Sequence, residues 1–245
     1  MDKKQYWSER ALTYHKLNWV RDAYSMDLLI ETGKFTKTDV VLDMGTGLGT
    51  VAMALSPLVD KVIGTDCSRD MLARAERADN VFYVEWDMQT PLFAPQTFDK
   101  VTVRQMLHHI PKDGVQGAVG LCNEVLKHGG KLIIVEPVCP SVEIEQEYAH
   151  IFKLKDGRNI LTREGIANLM IEAGFGRIRA TGFTMRGFSV RNWLDNNALN
   201  LELQNEIFDL HVNASPWFKS AFNLRIVNGD CLIDTQNVIV TGIKP

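Results

Sequence analysis

Runs of consecutive apolar residues alternate along the chain with segments whose apolar residues recur at helical spacing. An unbroken run such as 132–135 is typical of a strand buried on both faces of a parallel sheet, and helical spacing indicates an amphipathic helix. The pattern predicts strands at 39–44, 61–65, 81–86, 99–103 and 131–136, and helices at 22–31, 49–56, 69–76 and 114–127. A further helix is expected from Thr162 to Ile171, and a sixth strand from Arg177. This alternation predicts an α/β fold with a doubly wound, mostly parallel seven-stranded sheet.

The chain beyond the sixth strand departs from this alternation. Residues 186–223 are dense in aromatic side chains and predict two or three helices, a helical insertion before the last strand. Asn228–Gly229 lies between two apolar runs and predicts a hairpin, and 237–242 predicts a final strand that makes the sheet mixed. We expect one domain over 1–245, divided into an N-terminal segment (1–38), a cofactor-binding core (39–180), the insertion (186–223) and a hairpin with the final strand (224–245).

Glycines follow the first predicted strand at a regular spacing. Asp43 precedes Gly45, Gly47 and Gly49, and such glycines let the backbone bend sharply and let a ligand approach without meeting a β-carbon. The dinucleotide fingerprint would place its third glycine where this chain has Thr50, and it has no use for the carboxylate. The spacing therefore favours S-adenosylmethionine over NAD, while a tight strand-to-helix connection without a ligand stays an alternative.

The next two strands also end near acidic residues. Asp66 closes the second strand, at about the separation from the first glycine where such folds hold a ribose diol. An ionised carboxylate accepts several hydrogen bonds at once, and Ser68 can cap a helix whose Met71 faces a purine ring. Asp87 follows the third strand and is suited to accept from an exocyclic adenine amine. The three strand ends together indicate a nucleotide-like cofactor.

These motifs, in this order, resemble those of the class I S-adenosylmethionine-dependent methyltransferases, in the branch that includes the ubiquinone and menaquinone C-methyltransferases and many small-molecule methyltransferases. The similarity extends over roughly residues 7–180. It implies S-adenosyl-L-methionine as cofactor, with S-adenosyl-L-homocysteine as product. The cofactor contacts of that family fall here on Asp43 and the three glycines for the methionine part, Asp66 for the ribose, and Met71, Asp87 and Met88 for the adenine.

The N-terminal segment resembles the lid of the same branch at Trp7, Ala11 and Tyr14. Its aromatic side chains could close over a bound cofactor, or they could pack as a helix on the edge of the sheet. Tyr14 and Cys67, which is adjacent to the ribose carboxylate, complete the predicted cofactor-binding set.

Strand four ends in a polar segment that resembles the corresponding segment of that branch. Arg104 could pair with the carboxylate of the cofactor's methionine or bind an anionic acceptor, because a guanidinium recognises carboxylates in a bidentate manner. The alternative is a surface ion pair with Asp99 or Asp113, which would contribute little energy.

Candidate bases lie just past the same strand, where ligands bind in open α/β sheets. His108 and His109 could take a proton from a hydroxyl, phenol or acidic carbon, or they could cap a turn or pack beneath the following residues. Glu136 and His211 are weaker candidates, since the first could bond backbone amides and the second could face water. An acceptor that is already nucleophilic would need no base.

The insertion supplies the predicted substrate-binding residues. Trp193, His211 and Trp217 could line an acceptor pocket above the glycine turn, although apolar residues at helical spacing commonly attach a helix to the core. Some of these rings could line the pocket while others attach the insertion to the core.

Composition restricts the partners. The formal charge of −3 is spread without a basic stripe, so nucleic acid is not expected as a substrate. The four cysteines are dispersed, which argues against a metal site and against arsenite methylation.

The start lacks the apolar run of a signal peptide and no stretch approaches a membrane span, so a cytoplasmic location is expected. The expected partners are a small-molecule methyl acceptor and, in a homodimer, a second copy of the chain.

The sequence therefore predicts a methyltransferase that transfers a methyl group from S-adenosylmethionine to an oxygen, nitrogen or carbon nucleophile of a small molecule by in-line displacement. A quinone-type C-methyltransferase and a non-catalytic S-adenosylmethionine-binding protein are the alternatives, and an NAD oxidoreductase is a more distant one.

Overall fold

A mixed sheet forms the centre of the computed structural model, which describes residues 3–88 and 90–245. Within that part of the chain eight strands form the sheet, in the order β3-β2-β1-β4-β5-β8-β6, with the short β7 paired to β8. Strands β1 to β5 run parallel, and β8 is antiparallel to both of its long neighbours. The strands are β1 Val40–Met44, β2 Lys61–Asp66, β3 Val81–Glu85, β4 Phe98–Arg104, β5 Leu126–Pro137, β6 Gly176–Ser189, β7 Arg225–Val227 and β8 Asp230–Ile243.

Helices connect and cover these strands. They are α1 Lys3–Arg10, α2 Ala23–Gly33, α3 Thr50–Leu55, α4 Arg69–Arg74, α5 Val115–Val125, α6 Glu145–Lys155, α7 Arg163–Glu172, α8 Val190–Asp195, α9 Leu201–Val212 and α10 Pro216–Ala221. The two caps expected from the sequence are present: Ser68 accepts from the Met71 amide and Thr162 from the Gly165 amide. Among the described residues, no helix is long and apolar enough to cross a bilayer.

Alternate residues of the central strands enter separate apolar clusters on the two faces of the sheet. In β5, Leu132 and Ile134 pack with α5 and α7, whereas Ile133 and Val135 pack with α2 and α3. This two-sided burial explains the unbroken apolar run, since both faces of the strand lie under helices. The doubly wound arrangement with seven main strands is confirmed.

The strand order places a ligand site between β1 and β4. At that point the connections change direction, and open α/β sheets bind ligands at the carboxyl ends of the strands beside such a switch. The glycine turn leaves β1 and Arg104 ends β4 at this edge. The topology therefore brings the predicted cofactor motifs to one place.

Several elements differ from the prediction, and β5 begins at Leu126, inside the helix predicted over 114–127. The sixth strand runs to Ser189, so the helical insertion begins at Val190 rather than at residue 186. The predicted second arm of the hairpin and the predicted final strand are one continuous strand, β8, because its residues pair with β7, β6 and β5 without a break in the element. Helix α6 lies in a stretch for which the sequence analysis predicted no element.

A third apolar cluster lies outside the two sheet faces. It joins Leu17 and Val20 of the N-terminal segment to residues of α6, α8, α9 and α10. The insertion therefore packs with α6 and the N-terminal segment as a separate layer. This layer closes the site described next.

Candidate functional site

Two adjoining cavities open at the carboxyl ends of the parallel strands. The larger, of about 870 Å³, is lined by the glycine turn and by residues after β2, β3 and β4. The smaller, of about 70 Å³, is lined by α6, the insertion and the segment after β4. Trp7, Tyr14, Gln105 and His109 line both. A ligand in one cavity would therefore lie directly beside a ligand in the other.

The glycine turn forms part of the wall of the larger cavity. Gly45 and Gly47 have φ of +69° and +54°, which favour glycine. A β-carbon on Gly47 would point toward the ring of Tyr14, 3.8 Å away across the cavity wall. The Gly47 amide donates to Asp66, so the turn and the end of β2 are fixed to each other.

Asp43 and Gly49 lie behind the turn and are not among the residues that line the larger cavity, and their contact with the cofactor stays a prediction. The buried Asp43 carboxylate accepts from the hydroxyls of Thr46, at 2.6 Å, and Thr102, at 2.7 Å. Desolvation raises the pKa of this carboxyl to about 6. At Gly49 the hydroxyl of Tyr83 occupies the space that a β-carbon would need. Both residues therefore shape the turn from beneath.

Asp66 lines the larger cavity. Its two carboxylate oxygens accept from the amides of Gly47, at 3.0 Å, and Ser68, at 2.9 Å. Burial raises the pKa of the carboxyl from its ordinary value. A carboxylate has about four lone-pair sites, and the amide and thiol of Cys67 also lie close enough to donate to Asp66. The hydroxyls of a ribose diol would share these oxygens with the donors of the protein.

The other predicted cofactor residues line the same cavity. Met71 is buried on α4, and Cys67, Asp87 and Met88 lie at the ends of β2 and β3. Burial raises the pKa of the Cys67 thiol to about 11, so that it stays a neutral thiol. Thioether, thiol and carboxylate side chains therefore all line this cavity.

Arg104 also lines the larger cavity, but its guanidinium is committed largely to the N-terminal segment. It donates to the carbonyls of Val20 and Trp19, both at 3.2 Å, and to the hydroxyl of Ser25, at 3.1 Å. Its Nε is buried with no hydrogen-bond partner among the described residues. The expected alternative of a surface pair with Asp99 is wrong, because Asp99 accepts from Lys127 at 2.8 Å.

The N-terminal segment covers both cavities. Helix α1 packs on α4, and Lys4 lies 3.5 Å from Glu85 at the end of β3. Trp7 and Tyr14 form part of the shared wall. The segment lies over the cavities, which is the arrangement that the lid interpretation requires.

A buried carboxylate fixes the histidine pair. Glu136 accepts from the amides of Met106, at 2.8 Å, and Leu107, at 2.7 Å, and from Nδ1 of His108, at 2.5 Å. Glu136 therefore accepts from backbone amides, as the sequence analysis expected, and it also binds His108. Burial lowers the pKa of His108. Its ring is held in one orientation, with Nδ1 carrying the proton that it donates.

His109 occupies the junction of the cavities. Its ring centroid lies 4.7 Å from that of Trp7, nearly perpendicular, and its Nδ1 lies 3.9 Å from Asp156. Burial, together with the nearby His108 and Arg158, lowers the pKa of His109 well below its ordinary value. The ring is therefore neutral near pH 7 and can accept a proton.

An ionic cluster that the sequence analysis missed lies beside the smaller cavity, and its Arg158 lines that cavity. Asp156 accepts two hydrogen bonds from Arg158, at 2.9 and 2.6 Å, and one from Lys155 at 2.5 Å. All three side chains are almost fully buried. Charged residues next to one another normally indicate a solvated surface, so only the clustering of both signs after an amphipathic helix could have indicated the site.

Two of the three predicted substrate-binding residues line the smaller cavity. Trp193 and His211 are buried there, and His211 donates from Nδ1 to the Ile207 carbonyl at 2.7 Å rather than facing water. Desolvation lowers the pKa of His211 to about 4. Trp217 is 71% exposed and does not line the cavity, because α10 turns the adjacent Phe218 inward instead.

Comparisons with known proteins agree with this geometry. Residues 41–130 match the model of a methyltransferase domain. Over 160 residues the chain is 28% identical to an uncharacterized methyltransferase, YcgJ, of Bacillus subtilis, a match that covers 62% of each chain. Over 175 residues it is 25% identical to a ubiquinone/menaquinone biosynthesis C-methyltransferase of Rhizobium rhizogenes, covering 59% of this chain and 67% of that one.

The solved structure of YcgJ superposes with a TM-score of 0.81 at 21% identity, over 90% of this chain and 98% of that one, and thus shares the fold. The sequence match itself spans a little under two thirds of YcgJ. The matched domain begins in β1 and contains the glycine turn, Asp66 and the two histidines. Residues 41–130 therefore match a methyltransferase domain, and the chain as a whole is similar to methyltransferases in sequence and in fold.

Proposed function

We propose that the protein transfers the methyl group of S-adenosyl-L-methionine to an oxygen, nitrogen or carbon nucleophile of a small molecule. The observation that carries the proposal is the pair of cavities with one shared wall. Methyl transfer needs two reactants held in line and shielded from water, and such positioning can supply ~7–11 kcal/mol. Two adjoining, differently built cavities provide that arrangement.

The residues of the larger cavity fit the cofactor. Gly47 leaves space that a β-carbon would fill, Asp66 has carboxylate oxygens that a ribose diol would share, and the buried Nε of Arg104 lacks a partner. Met71, Cys67 and Met88 supply soft, polarisable surface for a purine. When bound, this cofactor supplies an electrophilic methyl group.

The acceptor is proposed to occupy the smaller cavity. Trp193, Phe218 and the side chains of α6 form its apolar part, and the rings of Trp7 and Tyr14 lie in the wall that it shares with the larger cavity. Water exclusion matters here because water would compete as a nucleophile. The non-catalytic alternative would need no such second cavity beside the first.

His109 is proposed as the base for an acceptor that must lose a proton. It lies at the junction and is neutral near pH 7; burial, His108 and Arg158 disfavour the protonated ring, and Asp156, 3.9 Å away, offsets part of their effect. His108, held by Glu136, is a positioning residue that packs against it, with ring centroids 4.1 Å apart. A His109→Asn variant that retained full turnover of a hydroxyl or carbon acceptor would exclude this role.

A quinone-type acceptor remains the second candidate, since a relative is a ubiquinone/menaquinone C-methyltransferase. That function would favour an open apolar pocket, whereas the smaller cavity carries Arg10 and Arg158 in its wall. The cytoplasmic location and the homodimer stay predictions.

Calorimetric titration tests the cofactor, and a metabolite screen with methyl-labelled S-adenosylmethionine tests the reaction. We expect S-adenosylhomocysteine to bind and NAD not to bind, and at least one small molecule to acquire label. Binding of NAD in place of S-adenosylhomocysteine would overturn the proposal. Cofactor binding with no transfer to any metabolite would favour the non-catalytic alternative.

A further inference from the structure

Two buried guanidinium groups face the acceptor cavity. Arg10, at the end of α1, is 2% exposed, and Arg158, after α6, is largely buried. Both line the smaller cavity, and Arg10 does not line the larger one. Guanidinium groups stay protonated in proteins, so two permanent positive charges lie in a cavity of about 70 Å³.

Arg10 has no carboxylate partner within the described part of the chain. Its guanidinium lies against the rings of Trp7, Tyr6 and Tyr14, at 4.7 to 5.3 Å from their centroids, and donates to the Tyr6 hydroxyl at 3.3 Å. Its Nε is buried without a hydrogen-bond partner among those residues. The rings compensate part of the desolvation, but a buried charge is normally also paired.

Arg158 has donors to spare. Its Nε and one terminal nitrogen form a fork on Asp156, which uses two of the five N–H donors of a guanidinium. The neighbouring carboxylate, Glu136, is occupied by two amides and His108. The pKa of Lys155 lies well below its ordinary value, first because the amine is buried and then because Arg158 and Arg10 are close to it. The lowered pKa is consistent with an excess of positive charge around this amine.

Most of the remaining cavity wall is aromatic, and Gln105, Thr235 and Asn237 add a polar part. Tyr148 and Phe152 of α6 face Trp193, Phe218 and Phe222. Such a wall favours an unsaturated or aromatic body, and guanidiniums recognise carboxylate and phosphate oxygens. We propose that the methyl acceptor is a compact apolar molecule bearing one anionic oxygen group, a carboxylate or a phosphate, held by Arg10 and Arg158.

The inference rests on the proposed function and can be tested apart from it. Protein saturated with S-adenosylhomocysteine is titrated with benzoate, phenyl phosphate and the neutral benzamide by calorimetry. We expect at least one anion to bind about tenfold to a hundredfold more tightly than benzamide, the range for hydrogen bonds to a charged group. Comparison of the two anions distinguishes a carboxylate site from a phosphate site.

Variants identify the residues responsible. Arg10→Gln and Arg158→Gln should each remove the preference for the anion while leaving the affinity for S-adenosylhomocysteine unchanged. Arg21→Gln is the matched control, because Arg21 lies on the same segment, is exposed and pairs with Glu76 at 2.7 Å. If Arg10→Gln does not fold, Arg10→Lys replaces it in the test, since it removes the guanidinium and keeps a positive charge on the helix.

The outcomes separate the two proposals. If S-adenosylhomocysteine fails to bind, the proposed function fails. If it binds but neither anion is preferred over benzamide, or the preference survives in folded Arg10→Gln and Arg158→Gln, the acceptor inference alone is overturned. A methyl acceptor found by the metabolite screen that carries no anionic group would overturn it as well.

Discussion

The carboxylate of Asp43 combines deep burial with two hydroxyl donors, from Thr46 and Thr102. Desolvation exceeds the effect of these hydrogen bonds, so the pKa rises from 3.8 to about 6. At pH 7 the carboxyl is therefore still mostly ionised, although burial makes its charged form less favourable than in water. Its two hydroxyl contacts tie the glycine turn to β1 and β4.

The first prediction concerns the pH dependence of this group. The folded protein holds the Asp43 proton more tightly than the unfolded chain, so its contribution to stability is present below about pH 4 and is lost as the pH rises through 6. The free energy of unfolding of wild type relative to Asp43→Asn should therefore fall by about 2 kcal/mol from pH 4 to pH 7. Urea titrations at several pH values measure it. A constant difference would show that Asp43 titrates normally.

Asp66 provides the second prediction. Replacing it by Ala removes the proposed ribose acceptor and the partner of the Gly47 amide, and should weaken S-adenosylhomocysteine binding by ~1.5–3 kcal/mol. Calorimetry measures the affinity, and circular dichroism checks the fold. The exposed Asp79, replaced by Ala, serves as control. Unchanged affinity in folded Asp66→Ala would reject the ribose assignment.

Gly47 provides the third prediction. A valine there must adopt a φ near +54° and project toward Tyr14 within the cavity wall, so Gly47→Val should abolish binding of S-adenosylhomocysteine. Gly229→Val is the matched control, because Gly229 has φ +78° in the β7–β8 hairpin with open space around its β-position. Both variants should lose about 1–3 kcal/mol of stability from backbone strain. Normal affinity in Gly47→Val would count against the larger cavity as the cofactor site.

At the scale of elements, the sequence patterns that correctly predicted structure were local ones. The strand, glycine turn and helix around β1 are specified by neighbouring residues, as are the caps at Ser68 and Thr162. The β7–β8 turn follows from the Asn228–Gly229 pair. Such features need no knowledge of distant contacts, so the sequence predicted them and the cofactor motifs that depend on them.

The features that the sequence did not predict depend on distant packing. Asp156 and Arg158 are buried only because α6, the N-terminal segment and the insertion meet over them. Trp217 and Phe218 are adjacent in a six-residue helix, and a pattern that short does not fix which side faces inward. Phe218 is the residue that faces inward, because it contacts His211 and Phe222.

The insertion gives the fourth prediction. Trp193→Phe keeps an aromatic ring in the wall but removes contact area, and should raise KM for the acceptor identified by the metabolite screen, with little change in S-adenosylhomocysteine affinity. The exposed Trp217→Ala should change neither quantity. Steady-state kinetics and calorimetry measure the two effects. If folded Trp193→Phe and folded Trp217→Ala showed the same KM for the acceptor, the insertion would contribute to packing and not to acceptor binding.

At the scale of the whole molecule, the N-terminal segment links parts of the chain that are distant in sequence. Arg104 of β4 binds its carbonyls at Trp19 and Val20, and Asn192 of α8 bonds the Lys16 carbonyl and the Asn18 amide. The segment also carries Trp7 and Tyr14 in the wall between the cavities. A ligand bound in either cavity would therefore lie against this segment.

The last prediction follows from that coupling. S-adenosylhomocysteine at about 100 times its Kd should stabilise the folded chain by ~2.7 kcal/mol, and because Trp7 and Tyr14 would cover it, local opening of the segment should become rarer. Hydrogen exchange should therefore slow at the amides of Val20 and Asp22, which bond within the segment. The amides of α9, which does not line the larger cavity, serve as the internal control for global stabilisation. Equal exchange of the segment in free and saturated protein would show that these residues pack as a fixed part of the wall.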